Sequence, residues 1–184
     1  MSGSTEIRPA AAADLPEIQA IYAHHVLHGA GTFDEVPPSL EEFEAQFAEA
    51  RGQGWSWLVA ADATGVLGYA YYGAYRERTA YRFTAENSIY VRDDVRGQGV
   101  GKALVARLLE EAERAGFRQM VAVIGDSENV GSIGVHTSLG FRRIASLRSV
   151  GFKFGRWVDV VLMQRSLGRG DADLPGEEAP PGSP

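Results

Sequence analysis

The chain has 184 residues, 45% hydrophobic and 23% charged, which suits one soluble globular domain with a proper core. A net charge of -6 with no basic face or run argues against nucleic acid as main partner, and no apolar run is long enough to cross a membrane. Without cysteine there is neither a disulfide framework nor a thiol to carry an acyl group; no charged-then-apolar leader opens the chain, so a cytoplasmic protein is expected.

In chain order, Ile7-Arg8-Pro9 predicts a short first strand. Asp14-Leu15-Pro16-Glu17 predicts a helix start, with Asp14 as N-cap, and Ile18, Ile21, Tyr22 and Val26 form its apolar face. His24 and His28 stand one turn apart, but no glutamate follows His24 and no third ligand is visible, so no metal is expected. A loop through Phe33, Glu35 and Pro37-Pro38 leads to a capping box, Ser39-x-x-Glu42, and a helix with Leu40, Phe43 and Phe47 on one side. Residues 55–61 and 66–73 predict two strands joined at Thr64-Gly65 as a hairpin. Tyr69, Tyr71, Tyr72 and Tyr75 read equally as a binding wall or as residues split between core and water.

A turn through Tyr75-Arg76-Glu77-Arg78 and Tyr81-Arg82 leads to Ser88-Ile89-Tyr90-Val91, a β-branched and aromatic strand. Then comes Arg96-Gly97-Gln98-Gly99-Val100-Gly101-Lys102 and a helix with Val100, Leu104, Val105, Leu108, Leu109 and Ala112 on one face. Glycines at a strand-to-helix junction let a bulky anion approach the backbone, and the first helical N–H groups have no internal acceptor. The stretch reads as a pyrophosphate cradle. A dinucleotide fingerprint fails because Lys102 stands where a third glycine is needed, and a Walker A loop fails at both Arg96 and Ala103.

Beyond that helix Gly116 is a stop. Residues 119–124 predict a buried central strand, apolar from Met120 to Ile124. Residues 129–139 form a short helix ended by Gly140, and two strands follow near 142–150 and 157–164. Residues 168–184 turn to Gly, Pro, Asp and Glu and predict a disordered tail after a domain at 5–167. The expected fold is a mixed α/β sheet of six or seven strands with helices on both faces.

Arg96-x-x-Gly99-x-Gly101 resembles the acyl-CoA loop of the GNAT N-acetyltransferase superfamily. Asn129-x-x-Ser132-x-x-x-His136-x-x-Leu139-Gly140-Phe141 resembles its second signature. Residues 84–91 (TAENSIYV) and 150–159 (VGFKFGRWVD) resemble the phosphinothricin and methionine sulfoximine acetyltransferases within it.

The resemblance implies the GNAT fold, acetyl-CoA as co-substrate and a small amino-acid analogue as acceptor. It implies that Ile89, Tyr90 and Val91 lie on a strand splayed from its neighbour and pair with the pantetheine arm. Arg96, Gly97, Gln98, Gly99, Val100, Gly101 and Lys102 would hold the pyrophosphate. Asn129 would reach the arm, cap its helix, or do both. Glu86 would be the general base taking a proton from the substrate ammonium. His136 stands where much of the superfamily has a tyrosine proton donor, and whether it donates a proton or only a hydrogen bond stays open. Arg76 and Arg78 suit a carboxylate and an oxyanionic head group, or are a solvated basic turn. Glu77, Asn87, Ser88, Phe33 and Tyr81 complete the expected acceptor pocket, and a homodimer is implied. Ser132, in Gly131-Ser132-Ile133-Gly134, does not fit a serine-hydrolase elbow, so direct attack in a ternary complex is expected. A protein N-terminus or lysine acceptor would want an open groove rather than two arginines, and a non-catalytic acyl-CoA sensor could dispense with Glu86.

Overall fold

The computed structural model describes residues 4–176 and 180–182. A seven-stranded sheet runs in the order β1-β2-β3-β4-β5-β7-β6, built from β1 (Glu6–Pro9), β2 (Trp57–Asp62), β3 (Gly65–Ala74), β4 (Thr84–Val91), β5 (Gln119–Gly125), β6 (Arg142–Lys153) and β7 (Arg156–Ser166). Neighbours are antiparallel except β4 and β5, whose parallel pairing needs the crossover helix α3 (Val100–Arg114). The other helices are α1 (Leu15–His28), α2 (Leu40–Gly52) and α4 (Val130–Ser138).

Both sheet faces carry a core, as the alternating residues of the strands require. One face packs Leu58, Ala70, Tyr72, Ala85, Met120 and Met163 against Leu104, Leu108 and Ala112 of α3. All six residues predicted on the apolar stripe of α3 are buried. The other face packs Trp57, Val59 and Tyr69 against Ile18 and Ile21 of α1 and Phe43 and Phe47 of α2. That second helical layer covers the β1–β4 half. Val123 of β5, expected to be buried with its neighbours, is therefore 37% exposed, and burial along β5 alternates.

Local signals hold with two revisions. Ser39 and Glu42 form the predicted reciprocal cap, with Glu42 N–H to Ser39 Oγ at 3.2 Å and Ser39 N–H to Glu42 Oε2 at 2.6 Å. Asp14 stands at the predicted N-cap position of α1 but has helical backbone angles and makes no capping side-chain bond. Its carboxylate accepts from Ala11 N–H at 2.8 Å and from both Arg8 terminal nitrogens, because that pair offers a charged donor fork. The Glu17 side chain, in the first turn of α1, reaches out to accept from Val66 N–H at 2.8 Å, tying α1 to the hairpin. The tyrosines split: Tyr69 and Tyr72 are buried on opposite faces, and Tyr71 is half-buried in a stack with Trp57 and Tyr69. Within the segment expected to form the tail, Gly170 O accepts from Arg118 Nε at 2.8 Å, and Pro181 O accepts from Trp55 Nε1 at 3.2 Å. Residues 177–179, 183 and 184 of that expectation lie outside the described residues.

Candidate active site

The site grows from one irregularity. β4 pairs with β5 from Thr84 to Asn87 only, after which the two strands part and residues 88–91 have no β5 partner. Backbone groups left open in this way accept an extended ligand as they would a strand, although Val91 O is already met by His25 Nε2 at 2.9 Å. The glycine loop lies beyond the end of β4. Gly97 and Gly99 have φ of 77° and 86°, and a Cβ at either would meet nothing within 4 Å, so backbone conformation rather than crowding calls for glycine. Gly101 is the reverse: a Cβ there would lie 3.3 Å from Ile89 Cδ1, and glycine lets α3 approach β4. Gly99 caps α3 without a side chain, and the first helical bond runs from Ala103 N to Gly99 O at 3.0 Å. The amides of Val100, Gly101 and Lys102 therefore head the helix without an intrahelical acceptor, at its positive dipole end. Arg96 is paired with Asp93 at 2.5 Å, and Gln98 Nε2 donates to Asp94 O at 3.2 Å. Asn129 caps α4: its Oδ1 accepts from Ser132 N–H at 3.2 Å.

Alternation along β4 sends Glu86, Ser88 and Tyr90 to the α1–α2 face and Asn87, Ile89 and Val91 to the α3–α4 face. Glu86 is half-buried, opposite Gly73 of β3 and beside Val121 of β5. Burial pushes its carboxyl above the ordinary 4.5, and Arg76, 3.6 Å away, partly opposes this. The Arg76 guanidinium lies over the Tyr75 ring at 4.1 Å and donates to Tyr75 O at 2.7 Å; Tyr81 meets Tyr75 edge-on at 5.7 Å. Glu77 and Arg78 are exposed in the same turn, and Arg76 is the arginine paired with Glu86. Ser88 stands opposite Tyr71 in the β3–β4 register.

The loop after α1 closes this face. Tyr22 Oη lies 2.8 Å from Thr32 Oγ1 and donates to Asp34 Oδ2 at 2.7 Å. Phe33 sits on Gly151, where a Cβ would fall 2.4 Å from its ring. Lys153, almost fully buried, donates to Gly29 O and Thr32 O, each at 2.9 Å, and so ties the loop to the β6–β7 hairpin. Burial lowers the Lys153 pKa, with Asp34 and Glu35 opposing. Tyr22, Thr32, Asp34 and Lys153 were not read as site residues from the sequence. Lys153 gave one signal: a cation set directly between Phe152 and Phe154.

Asn87, expected beside the acceptor, instead faces the opposite side and lies 2.9 Å from His136 Nε2. Adjacent residues on a strand cannot share a face, so Glu86 and Asn87 could not both line one pocket. His136 is 1% exposed, its Nδ1 is 2.8 Å from Ser132 O, and burial lowers its pKa. Glu86 and His136 thus flank β4 from opposite sides. No group of three metal-ligating side chains occurs among the described residues, and no helix among them is long and apolar enough to cross a membrane.

A family profile described as an acetyltransferase (GNAT) domain matches residues 7–162. The chain belongs to the GNAT acetyltransferase family. Within it, the chain is 51% identical over 162 residues to a phosphinothricin N-acetyltransferase of Alcaligenes faecalis, covering 88% of this chain and 82% of the relative. It is 46% identical over 165 residues to an L-methionine sulfoximine/L-methionine sulfone acetyltransferase of Pseudomonas aeruginosa, covering 89% and 95%. A crystal structure of a GNAT phosphinothricin acetyltransferase from Sinorhizobium meliloti in complex with acetyl-CoA superposes with a TM-score of 0.92 at 46% identity, covering 97% and 96%. The GNAT co-substrate acetyl-CoA fits the residues present: an open glycine loop at a helix N-terminus suits a pyrophosphate, and the unpaired edge of β4 suits an amide-bearing arm.

Proposed function

We propose that this enzyme transfers an acetyl group from acetyl-CoA to the α-amine of a small amino-acid analogue of the phosphinothricin, methionine sulfoximine or methionine sulfone type. The observation that carries the reading is Glu86: a half-buried carboxylate with a raised pKa, beside one arginine, where β4 and β5 begin to part. Acetyl-CoA supplies an acetyl group activated as a thioester. Residues 96–102 hold its pyrophosphate, and the free edge of residues 88–91 aligns its arm. The Tyr90 N–H points to β3, in the ladder that Arg92 N to Leu67 O continues, so the Val91 N–H is the one of the two that steadies the carbonyl oxygen as charge builds there.

Glu86 takes the proton that the substrate ammonium must lose, directly or through one water, and its raised pKa makes it a better acceptor. Arg76 anchors the acceptor carboxylate, and Phe33, Ser88 and Tyr81 bound the pocket. With no cysteine in the chain, the amine attacks the thioester directly, in a ternary complex. The relatives' names support the acceptor class.

We further assign a cytoplasmic homodimer. Trp157 is 64% exposed, and Val150, Phe152 and Phe154 are also exposed on the same β6–β7 hairpin. An apolar cluster of this kind is typical of a protein interface. Lys153 and Gly151 of that hairpin touch the acceptor loop, so a partner there would border the pocket.

Thiol release from acetyl-CoA across an acceptor panel tests the reading. Release should require both an α-amine and an α-carboxylate on the acceptor. Equal release with peptide N-termini or lysine side chains, or none with any amino-acid analogue, would reject it.

A further inference from the structure

The ring of His136 is enclosed by four groups, the most distant hydrogen-bonding one being Ser132 Oγ at 3.5 Å from Nδ1. Nδ1 lies 2.8 Å from Ser132 O, Nε2 lies 2.9 Å from Asn87 Nδ2, and the Phe141 ring stands edge-on at 4.8 Å. A carbonyl oxygen only accepts, so Nδ1 carries a hydrogen. Asn87 Nδ2 then donates to Nε2, which is the bare nitrogen of a neutral ring.

The alternative is the opposite amide orientation, and it fails on cost. With Oδ1 turned toward Nε2, the ring would need a second hydrogen and a positive charge. Burial disfavours that cation and only the Ser132 carbonyl opposes; no charged side chain is among the groups acting on the ring. The neutral arrangement leaves one unmet acceptor, Asn87 Oδ1, which is buried without a partner among the described residues. The charged arrangement would leave an unmet NH2 group and a buried charge, and burying charge is the costlier of the two.

We propose that Asn87 is a positioning residue that fixes His136 as the neutral Nδ1–H tautomer, making the ring a hydrogen-bond acceptor and not the acid that protonates the departing thiolate. The proposal deepens the acetyl-transfer reading and rests on it for its consequence. As the C–S bond breaks, its electron pair stays on sulfur. Glu86 takes the first proton of the ammonium; the nitrogen gives up a second to water as the amide forms and the sulfur takes up one from water, so the exchange balances with none supplied from Nε2. A coenzyme thiolate is a good enough leaving group to need no acid at sulfur.

The test is two-bond 1H–15N NMR on the full chain labelled at histidine, with the His136 resonances assigned by their loss in His136→Gln. Nδ1 should be protonated and Nε2 bare at neutral and alkaline pH, with or without acetyl-CoA. A hydrogen on Nε2 at neutral pH, or titration near the ordinary 6.5, would overturn the proposal. In Asn87→Asp, an acceptor-only carboxylate should draw a hydrogen onto Nε2 and raise the ring's pKa above the ordinary value; a ring unmoved by that change would also overturn it. The wild-type spectra need no variant, so misfolding of Asn87→Asp leaves the test decisive. They need no turnover either, so failure of amino-acid analogues as acceptors would refute the function without touching the tautomer.

Discussion

Replacing Lys153 with Met keeps most of the side chain's apolar bulk and removes only its ammonium. Gly29 O and Thr32 O then lose a charged donor at 2.9 Å. A hydrogen bond to a charged group contributes roughly 1.5–3 kcal/mol, so the pair is worth roughly 3–6 kcal/mol before any offset. The offset is real, because burial disfavours the Lys153 cation and Met does not carry that cost. Allowing about half, the net loss is about 2 kcal/mol. For a chain of this size that is a melting-temperature drop of roughly 4–8 °C. The same loss frees the loop carrying Thr32, Phe33 and Asp34, so the acceptor KM should rise about tenfold while that for acetyl-CoA stays put. Thermal melts and two-substrate kinetics on the same preparations measure both effects. A melting temperature equal to or above wild type, with an unmoved acceptor KM, would refute the assignment of Lys153 as the tie that holds the pocket loop.

Arg76→Ala should raise the acceptor KM at least about tenfold and leave acetyl-CoA binding unchanged. Arg76 lowers the Glu86 pKa, so its loss should also move the acidic limb of the rate profile to higher pH; parallel rises in both Michaelis constants would reject the anchor role. Trp157→Arg puts a charge in the exposed hairpin cluster and should give a monomer by light scattering; an unchanged dimer would place the interface elsewhere. Glu86 titrates above 4.5 in the fold, so its contribution to stability is present below pH 4.5 and lost as pH rises through the folded value. Glu86→Gln should therefore melt higher than wild type at pH 8 and match it near pH 4; a lower melting temperature at pH 8 would contradict the burial argument.

The sequence signals that survived are those written by local chemistry. The α3 stripe from Val100 to Ala112 and the Ser39–Glu42 cap follow from helical spacing alone. The glycine loop was legible as a junction open to a bulky anion, and the structure adds positive φ at Gly97 and Gly99. The failures needed partners outside the reach of helical or strand spacing. Asp14 answers to Arg8, Glu17 to Val66 and Lys153 to the loop at Gly29 and Thr32, and no spacing rule predicts those meetings. Val123 is exposed because α1 and α2 stop short of the C-terminal half of the sheet, a tertiary fact invisible in an apolar run. The placement of Asn87 was legible: on one strand, Glu86 and its neighbour must face opposite ways.

The central claim is that Glu86 takes the acceptor's proton beside a thioester held by the glycine loop. The most direct test measures turnover and acetyl-CoA affinity together in Glu86→Gln, which keeps the shape and removes the base. Turnover should fall by about 10²- to 10⁴-fold while the acetyl-CoA dissociation constant stays within about twofold of wild type. Wild-type turnover in that variant, or a loss of turnover matched by an equal loss of acetyl-CoA binding, would contradict the account.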